Sequence, residues 1–225
     1  MTKNYYLHKK TSIVGNILDW ESIFWRKAET ARIDNFHPQS TGHHPSCSAK
    51  LQYDAENIYL LFKTDDKYIR SIYTLYNSKV NEDSCVEWFV KTPQAKGYYN
   101  LEINAGGTLH VNYIVDPERD KNGKRKDIRS IPENHASQIK IYSSLPRIID
   151  PEIVKNITWF LAMIIPFEFF NLFTSLGKIS SSVWQGNLYK CGDKTSHPHW
   201  ASWNPVDELN FHQPKHFGKF IFMDD

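Results

Sequence analysis

Two carboxylates placed by strand alternation are the most chemically suggestive pair in this chain. In Asn81-Glu82-Asp83-Ser84-Cys85-Val86-Glu87-Trp88-Phe89-Val90, the apolar Val86, Trp88 and Val90 alternate with Cys85, Glu87 and Phe89. The following segment, Tyr98 to Asn104, alternates so strictly that Asn100, Glu102 and Asn104 share one face and Tyr99, Leu101 and Ile103 the other. If the loop Thr92 to Gly97 closes a hairpin with Lys91 opposite Tyr98, Glu87 falls opposite Glu102. Like charges directly across a ladder are destabilising, so a shared proton, a cation, a basic side chain or a ligand hydroxyl has to compensate. A register slip of one residue removes the pairing.

That acidic, amide-rich face admits three uses. Opposed carboxyls about 5 Å apart suit retaining glycoside hydrolysis. Carboxylates and amides beside aromatic rings suit sugar binding without chemistry. Clustered oxygens, with Asp65 and Asp66 as further candidates, could hold a hard cation such as calcium. The competing account is a hydrogen-bonded structural network, which spacing favours for Glu82 and Asp83; for Glu87 it favours sugar.

Other constellations carry less. His37, His43 and His44 sit in a loop and His197 and His199 form His-Pro-His, while His212 and His216 have the His-x-x-x-His spacing that binds metal only on a helix, with Pro214 inside it. No Cys-x-x-Cys accompanies them, and capping or hydrogen bonding accounts for loop histidines better than zinc does. There is no Gly-x-Ser-x-Gly elbow, and Cys47, Cys85 and Cys191 lack a nucleophile signature. Gly106-Gly107 follows a strand without opening a helix, which makes it a turn rather than a phosphate loop.

The elements that must hold these residues are strands. Ser46 to Tyr53, Asn57 to Thr64, Ser84 to Lys91, Gly97 to Asn104, Gly107 to Ile114, Ser137 to Tyr142, Ile157 to Ile165, Val183 to Lys190 and Phe217 to Met223 show period-two or β-rich patterns. Helical periodicity is confined to Ile17–Ala28 and Pro166–Leu172. About ten short strands predict an all-β antiparallel sandwich with one or two short helices, as a single domain over 1–225 with residues 1–25 as a lead-in. The mixed-charge stretch Asp116 to Arg129 reads as a solvated loop between strands. Tyr189 to Phe217, irregular and holding Trp200 and Trp203, reads as a ligand loop or as a flap over the end of the sandwich.

Composition narrows the class. The 225 residues carry 27 Lys+Arg against 25 Asp+Glu, a balance without the basic footprint of a nucleic-acid binder. Aromatic residues reach 14%, enough for both a core and a stacking surface. Three cysteines cannot build a disulfide framework. The start, MTKNYYLHKK, lacks the apolar stretch of a signal peptide, and the expected location is cytoplasmic. The most apolar run, Ile157 to Phe173, is interrupted by Pro166 and Glu168 and is too short to span a bilayer.

Several blocks in order resemble the family 9-like carbohydrate-binding proteins. They are the Glu82 to Val90 and Tyr98 to Asn104 segments, Gly106-Gly107, and Trp159 with Ile165-Pro166-Phe167. Gly186 to Asp193, Ala201-Ser202-Trp203-Asn204-Pro205, Phe211-His212-Gln213-Pro214 and Phe217-Gly218 follow. The resemblance implies a β-sandwich module without catalytic activity. Its ligand would be a mono- or oligosaccharide end, its partner a separate glycoside hydrolase, and calcium a structural ion rather than a required cofactor. It also implies no nucleic-acid or membrane partner.

By this resemblance Glu87 matches the acidic ligand-binding position and Asn187 an amide one. Asn81 and Lys190 stand where many relatives carry the two tryptophans that sandwich the sugar. The expected sugar-binding set is therefore Glu87, Asn100, Glu102, Asn187 and Lys190, with Trp203, or secondarily Trp200, as the stacking ring. A glycosidase using Glu87 and Glu102 is the alternative, and a structural or interaction sandwich without sugar binding is the third reading.

Overall fold

A computed structural model describes residues 2–10, 15–123 and 125–224, so residues 1 and 11–14 of the lead-in and Lys124 of the charged stretch lie outside the described residues. Two sheets carry the fold. In the first, the strand order is Arg125–Ser130, Leu109–Arg119, Tyr98–Asn104, Cys85–Lys91, Val183–Cys191, Gly218–Phe222 and Asn4–Lys9. In the second it is Asn4–Lys9, Ser46–Tyr53, Asn57–Asp66, Ile157–Pro166 and Lys140–Ser143. The strand Asn4–Lys9 belongs to both, since Asn4 to Leu7 pair in parallel with Lys219 to Phe222, and His8 and Lys9 with Gln52 and Tyr53.

Alternation explains what each sheet buries. The inward set of the first sheet, including Val86, Trp88, Val90, Leu101, Ile103 and Leu188, meets Leu51, Leu60, Phe62, Trp159 and Leu161 of the second in one core. At ~25 cal/mol per Å² of apolar surface buried, this interior is the main stabilising term. The architecture is the all-β sandwich that the alternation predicts. Phe167–Phe170 forms the short helix expected after Pro166.

The outer face of each sheet is covered by irregular chain. On the second sheet, Phe24 and Trp25 pack on Tyr59, Leu61 and Ala162. They come from a segment expected to be helical, Ile17–Ala28, which instead makes turns and a single 3-10 turn at Ile23–Trp25 capped by Ser22. A run this short cannot repay helix nucleation, and the same aromatics gain more by lying flat on the sheet. On the first sheet, Phe211 and Val206 pack over Phe89, Tyr98, Tyr189 and Phe217. The Val206 to Phe217 part of the Tyr189 to Phe217 segment therefore lies over a sheet face, while Tyr189–Cys191 and Trp200–Ser202 are strands of the sheet itself.

Two further expectations are corrected. The lead-in contains the bridging strand Asn4–Lys9. Much of the charged stretch Asp116–Arg129 is hairpin rather than loop, since the strands Leu109–Arg119 and Arg125–Ser130 pair with Arg119 opposite Arg125. Among the described residues no helix is long and apolar enough to cross a membrane.

Candidate functional site

The hairpin register brings the two carboxylates together. Glu87 lies opposite Glu102, and Glu102 in turn opposite His110 on the next strand. Gly107 takes the positive φ of 87° in the turn that starts this third strand. Glu87, Asn100, Glu102 and His110 thereby form the floor of a cleft of about 440 Å³ on the outer face of the first sheet. That volume falls within the ~300–1,000 Å³ of small-ligand sites.

The floor is ordered by its own hydrogen bonds. The Asn112 amide N–H donates to Asn100 Oδ1 at 2.8 Å, and Asn100 Nδ2 donates to Glu102 Oε1 at 2.7 Å. His110 Nδ1 lies 3.2 Å from the carbonyls of Asn77 and Ser78, while Nε2 is 2.9 Å from Asn112 Nδ2. The first contacts require Nδ1 to donate, leaving Nε2 to accept. Cys191 Sγ donates to Glu87 Oε1 at 3.1 Å. Each carboxyl is thus fixed through one oxygen.

Burial decides the protonation of these acids. Glu87 is 3% exposed and Glu102 7%. Desolvation, with Cys191 and Glu102 adding repulsion, pushes the Glu87 carboxyl well above the usual carboxylate range. Desolvation also raises Glu102, against the opposing pull of His110, Asn100 and Arg125. Burial thus favours the protonated form of both acids, and no ion pair engages either among the described residues.

Trp200 forms one wall. Its strand Trp200–Ser202 pairs with Val183–Cys191 so that Trp200 lies opposite Cys191, on the Glu87 side. Its indole Nε1 donates to Asp193 Oδ1 at 2.7 Å, and Asn81 Nδ2 donates to Asp193 Oδ2 at 2.8 Å. The ring is half-buried and held in place from behind, as a stacking platform must be. Leu209 to His212 form a second wall, and Arg119, Arg125 and Ile128 of the hairpin a third.

Three residues of the expected set lie elsewhere. Lys190 is one position from Cys191 and therefore points to the opposite face of the strand, opposite Val86, where it is fully buried. There its Nζ lies 3.3 Å from Asp66 Oδ2 and 2.7 Å from His199 Nε2. Trp203 stands three residues from Trp200, so extended backbone sends it inward to Tyr5 and Phe220 at ring separations of 6.5 and 5.3 Å. Asn187 does face outward but is spent on a backbone clamp, donating to the Asn204 carbonyl at 2.9 Å and accepting from the Asn204 amide at 2.9 Å. Glu87, Asn100, Glu102 and Trp200 are brought together; Asn187, Lys190 and Trp203 are not.

The neighbouring acids are structural. Asp83 meets Arg70 Nε at 3.2 Å and accepts from the Ile72 and Tyr73 amides and from Asn104 Nδ2. Glu82 accepts from the Tyr73 hydroxyl at 2.5 Å. The Asp65–Asp66 pair does not fit calcium, because the Lys190 ammonium and His43 Nε2, at 2.7 Å, occupy Asp66, while Asp65 accepts from Thr158. Cys85, Glu87 and Cys191 do bring three donor atoms within 4.8 Å of one another. Two thiols and one carboxyl suit a softer ion than calcium.

Of the cleft residues that sequence reasoning missed, His110 was within reach, since extending the register past Gly107 places it opposite Glu102. Asp193, Asn210, Phe211 and His212 come from irregular chain, where alternation gives no information.

A β-sandwich with a polar, aromatic-walled cleft on one sheet face is the build of a small-ligand-binding module. The family model described as carbohydrate-binding family 9 matches residues 17–222, and the chain belongs to that family. Among solved structures, the chain is similar to a Bacteroides uniformis protein provisionally named as carbohydrate-binding, at 27% identity and a TM-score of 0.83, with 99% of this chain and 100% of that one covered. It is also similar in fold to a family 9 carbohydrate-binding module from Caldicellulosiruptor kristjanssonii. The cellotriose complex of that module gives 12% identity and a TM-score of 0.65 over 99% of this chain and 95% of that one. The glucose complex gives 12% and 0.62 over 99% and 97%. No curated protein matches the chain.

Proposed function

We propose that the protein binds the end of a carbohydrate chain, without chemistry, in the cleft floored by Glu87, Asn100 and Glu102 and walled by Trp200. Paired carboxyls on a rigid sheet, beside a half-buried indole pinned by Asp193, are the observation that carries this reading. The free oxygen of each carboxyl and the Asn100 side chain would bond sugar hydroxyls, and the Trp200 face would cover the apolar side of a pyranose. Glucose and cellotriose, the ligands of the Caldicellulosiruptor module, are natural first probes. A separate glycoside hydrolase would be the functional companion of such a module.

A retaining glycosidase would use such a pair with one carboxyl ionised as nucleophile and the other holding a proton, so turnover is what separates the two readings. Titration calorimetry against a glycan panel, run beside aryl-glycoside hydrolysis assays, tests the reading. Saturable heat without turnover is expected. Turnover that disappears in Glu87→Gln would replace the binding account with an enzymatic one.

A further inference from the structure

The rim of the cleft carries a second like-charge pair. Arg119 and Arg125 lie directly opposite each other across the hairpin Leu109–Arg119/Arg125–Ser130, and both line the cleft. Directly opposed like charges cost stability wherever nothing answers them. Among the described residues neither arginine forms an ion pair. Arg119 Nη1 donates to the Gly123 carbonyl at 2.5 Å and Arg125 Nη1 to the Pro117 carbonyl at 3.3 Å. A guanidinium has five N–H donors, so most of those at the rim are unspent.

The acids of the cleft form no ion pair with them among the described residues, although Glu102 attracts Arg125 across the cleft. Glu102 accepts from Asn100 and Glu87 from Cys191 through one oxygen each, and both oxygens of Asp193 are taken by Trp200 and Asn81. Lys79, also at the rim, is already paired with Glu82 at 3.4 Å. The rim therefore presents two guanidinium groups without an ion-pair partner among the described residues, above a floor whose carboxyls each keep one oxygen free.

We propose that the cleft selects an acidic glycan, with Arg119 and Arg125 receiving a carboxylate or sulfate substituent of the sugar seated on Glu87, Glu102 and Trp200. This rests on the reading of the cleft as a sugar site and names the class of sugar. Planar guanidinium groups match carboxylate and sulfate oxygens in paired hydrogen bonds, which a neutral hydroxyl cannot offer. Burial, together with Arg125 and Arg119, holds the His212 imidazole well below its usual range, so the guanidinium pair supplies the positive charge at that wall. Filling the gap between the two arginines with an anion would remove the cross-strand repulsion as the ligand binds.

Calorimetry at low and moderate salt, with neutral, uronate-containing and sulfated oligosaccharides of equal length, tests the assignment. The acidic ligands are expected to bind more tightly than the neutral ones, on the order of tenfold, the scale of one or two charge-assisted hydrogen bonds. In Arg119→Gln and Arg125→Gln the ratio of acidic to neutral affinity should fall toward unity, and it should shrink as salt is raised. The uronate and sulfate arms separate the two sources of negative charge. Thermal melts should show both variants folded, since each relieves a like-charge contact. Equal binding of neutral and acidic ligands, or a ratio untouched by both variants, overturns the proposal and leaves sugar binding standing. Heat from none of the glycans overturns sugar binding itself, and the proposal with it.

Discussion

Two buried charged clusters occupy opposite faces of the end of one strand. On the inner side, Lys190 bonds Asp66 and His199, and His43 closes the network at 2.7 Å from Asp66. On the outer side, one residue along, Cys191 touches Glu87, which lies opposite Glu102. The inner cluster solves burial by pairing charges. Burial alone would raise the Asp66 carboxyl, but Lys190 and His43 hold it well below the usual range. Burial and the nearby ammonium push His199 down to about 3, so it stays neutral, its Nδ1 donating to the His197 carbonyl at 2.9 Å. In the outer cluster no opposite charge pairs with the acids, and burial favours their protonated form. The inner cluster keeps one Asp66 oxygen without a hydrogen bond, but that oxygen lies in the interior beside the Lys190 ammonium, whereas the outer acids face a cleft with one oxygen each in reserve.

If the inner cluster is purely structural, removing one partner must cost stability first. Lys190→Met leaves Asp66 buried without its ammonium and is expected to destabilise the fold by about 3–5 kcal/mol, read from the denaturant midpoint. Trp203→Ala, which empties the space against Tyr5 and Phe220, belongs to the same class, at about 3–5 kcal/mol. A loss of glycan binding from either variant while stability stays unchanged would break the division between the two sides.

The outer cluster should respond in the opposite sense. Glu87→Gln removes a costly buried acid while preserving shape, so stability at neutral pH should hold or rise. Glycan affinity should fall by up to about 1.5 kcal/mol, the upper end of the scale for hydrogen bonds between neutral groups. Trp200→Ala should cost a smaller part of the affinity, about 1 kcal/mol, with a much smaller stability penalty than Trp203→Ala.

The subtlest contrast is in pH. His199 and Asp66 bind protons less readily folded than unfolded, so their contribution to stability is lost on acidification. The loss begins below about 6.5 as His199 protonates in the unfolded chain and continues below the ordinary aspartate value of about 3.9. Glu87 has the reverse sign. Its folded proton is favoured, so its contribution falls as pH rises above the ordinary glutamate value of about 4.3 toward its raised folded value. Glu87→Gln should abolish that decline and leave the acid limb intact, as measured by denaturation across pH.

Most of the sandwich was legible because period-two alternation is a local property. Glu87 opposite Glu102 followed from the hairpin length alone. Lys190 and Trp203 depart from the expected set for one geometrical reason: each stands three residues along extended chain from an outward-facing residue, Asn187 and Trp200, and that odd spacing turns it inward. Asn187 departs for a different reason, since its outward side chain is held by the Asn204 backbone. The family pattern drew Lys190 toward the ligand, but in this chain that ammonium is turned inward onto Asp66. The arginines were overlooked for another reason. A mixed-charge run such as Asp116 to Arg129 carries no hydrophobic alternation, so its pairing depends on strand neighbours that no local pattern reveals. Asn4–Lys9 was missed similarly, being defined by parallel partners more than 40 residues away.

The most direct test of the account follows the tryptophan indole N–H resonances as a binding glycan is titrated into the protein. Trp200, whose Nε1 is bonded to Asp193 at the cleft wall, should shift progressively with ligand and saturate at the calorimetric affinity. Trp203, packed against Tyr5 and Phe220 in the core, should stay in place. A Trp200 signal that does not move while the glycan binds would contradict the cleft as the sugar site.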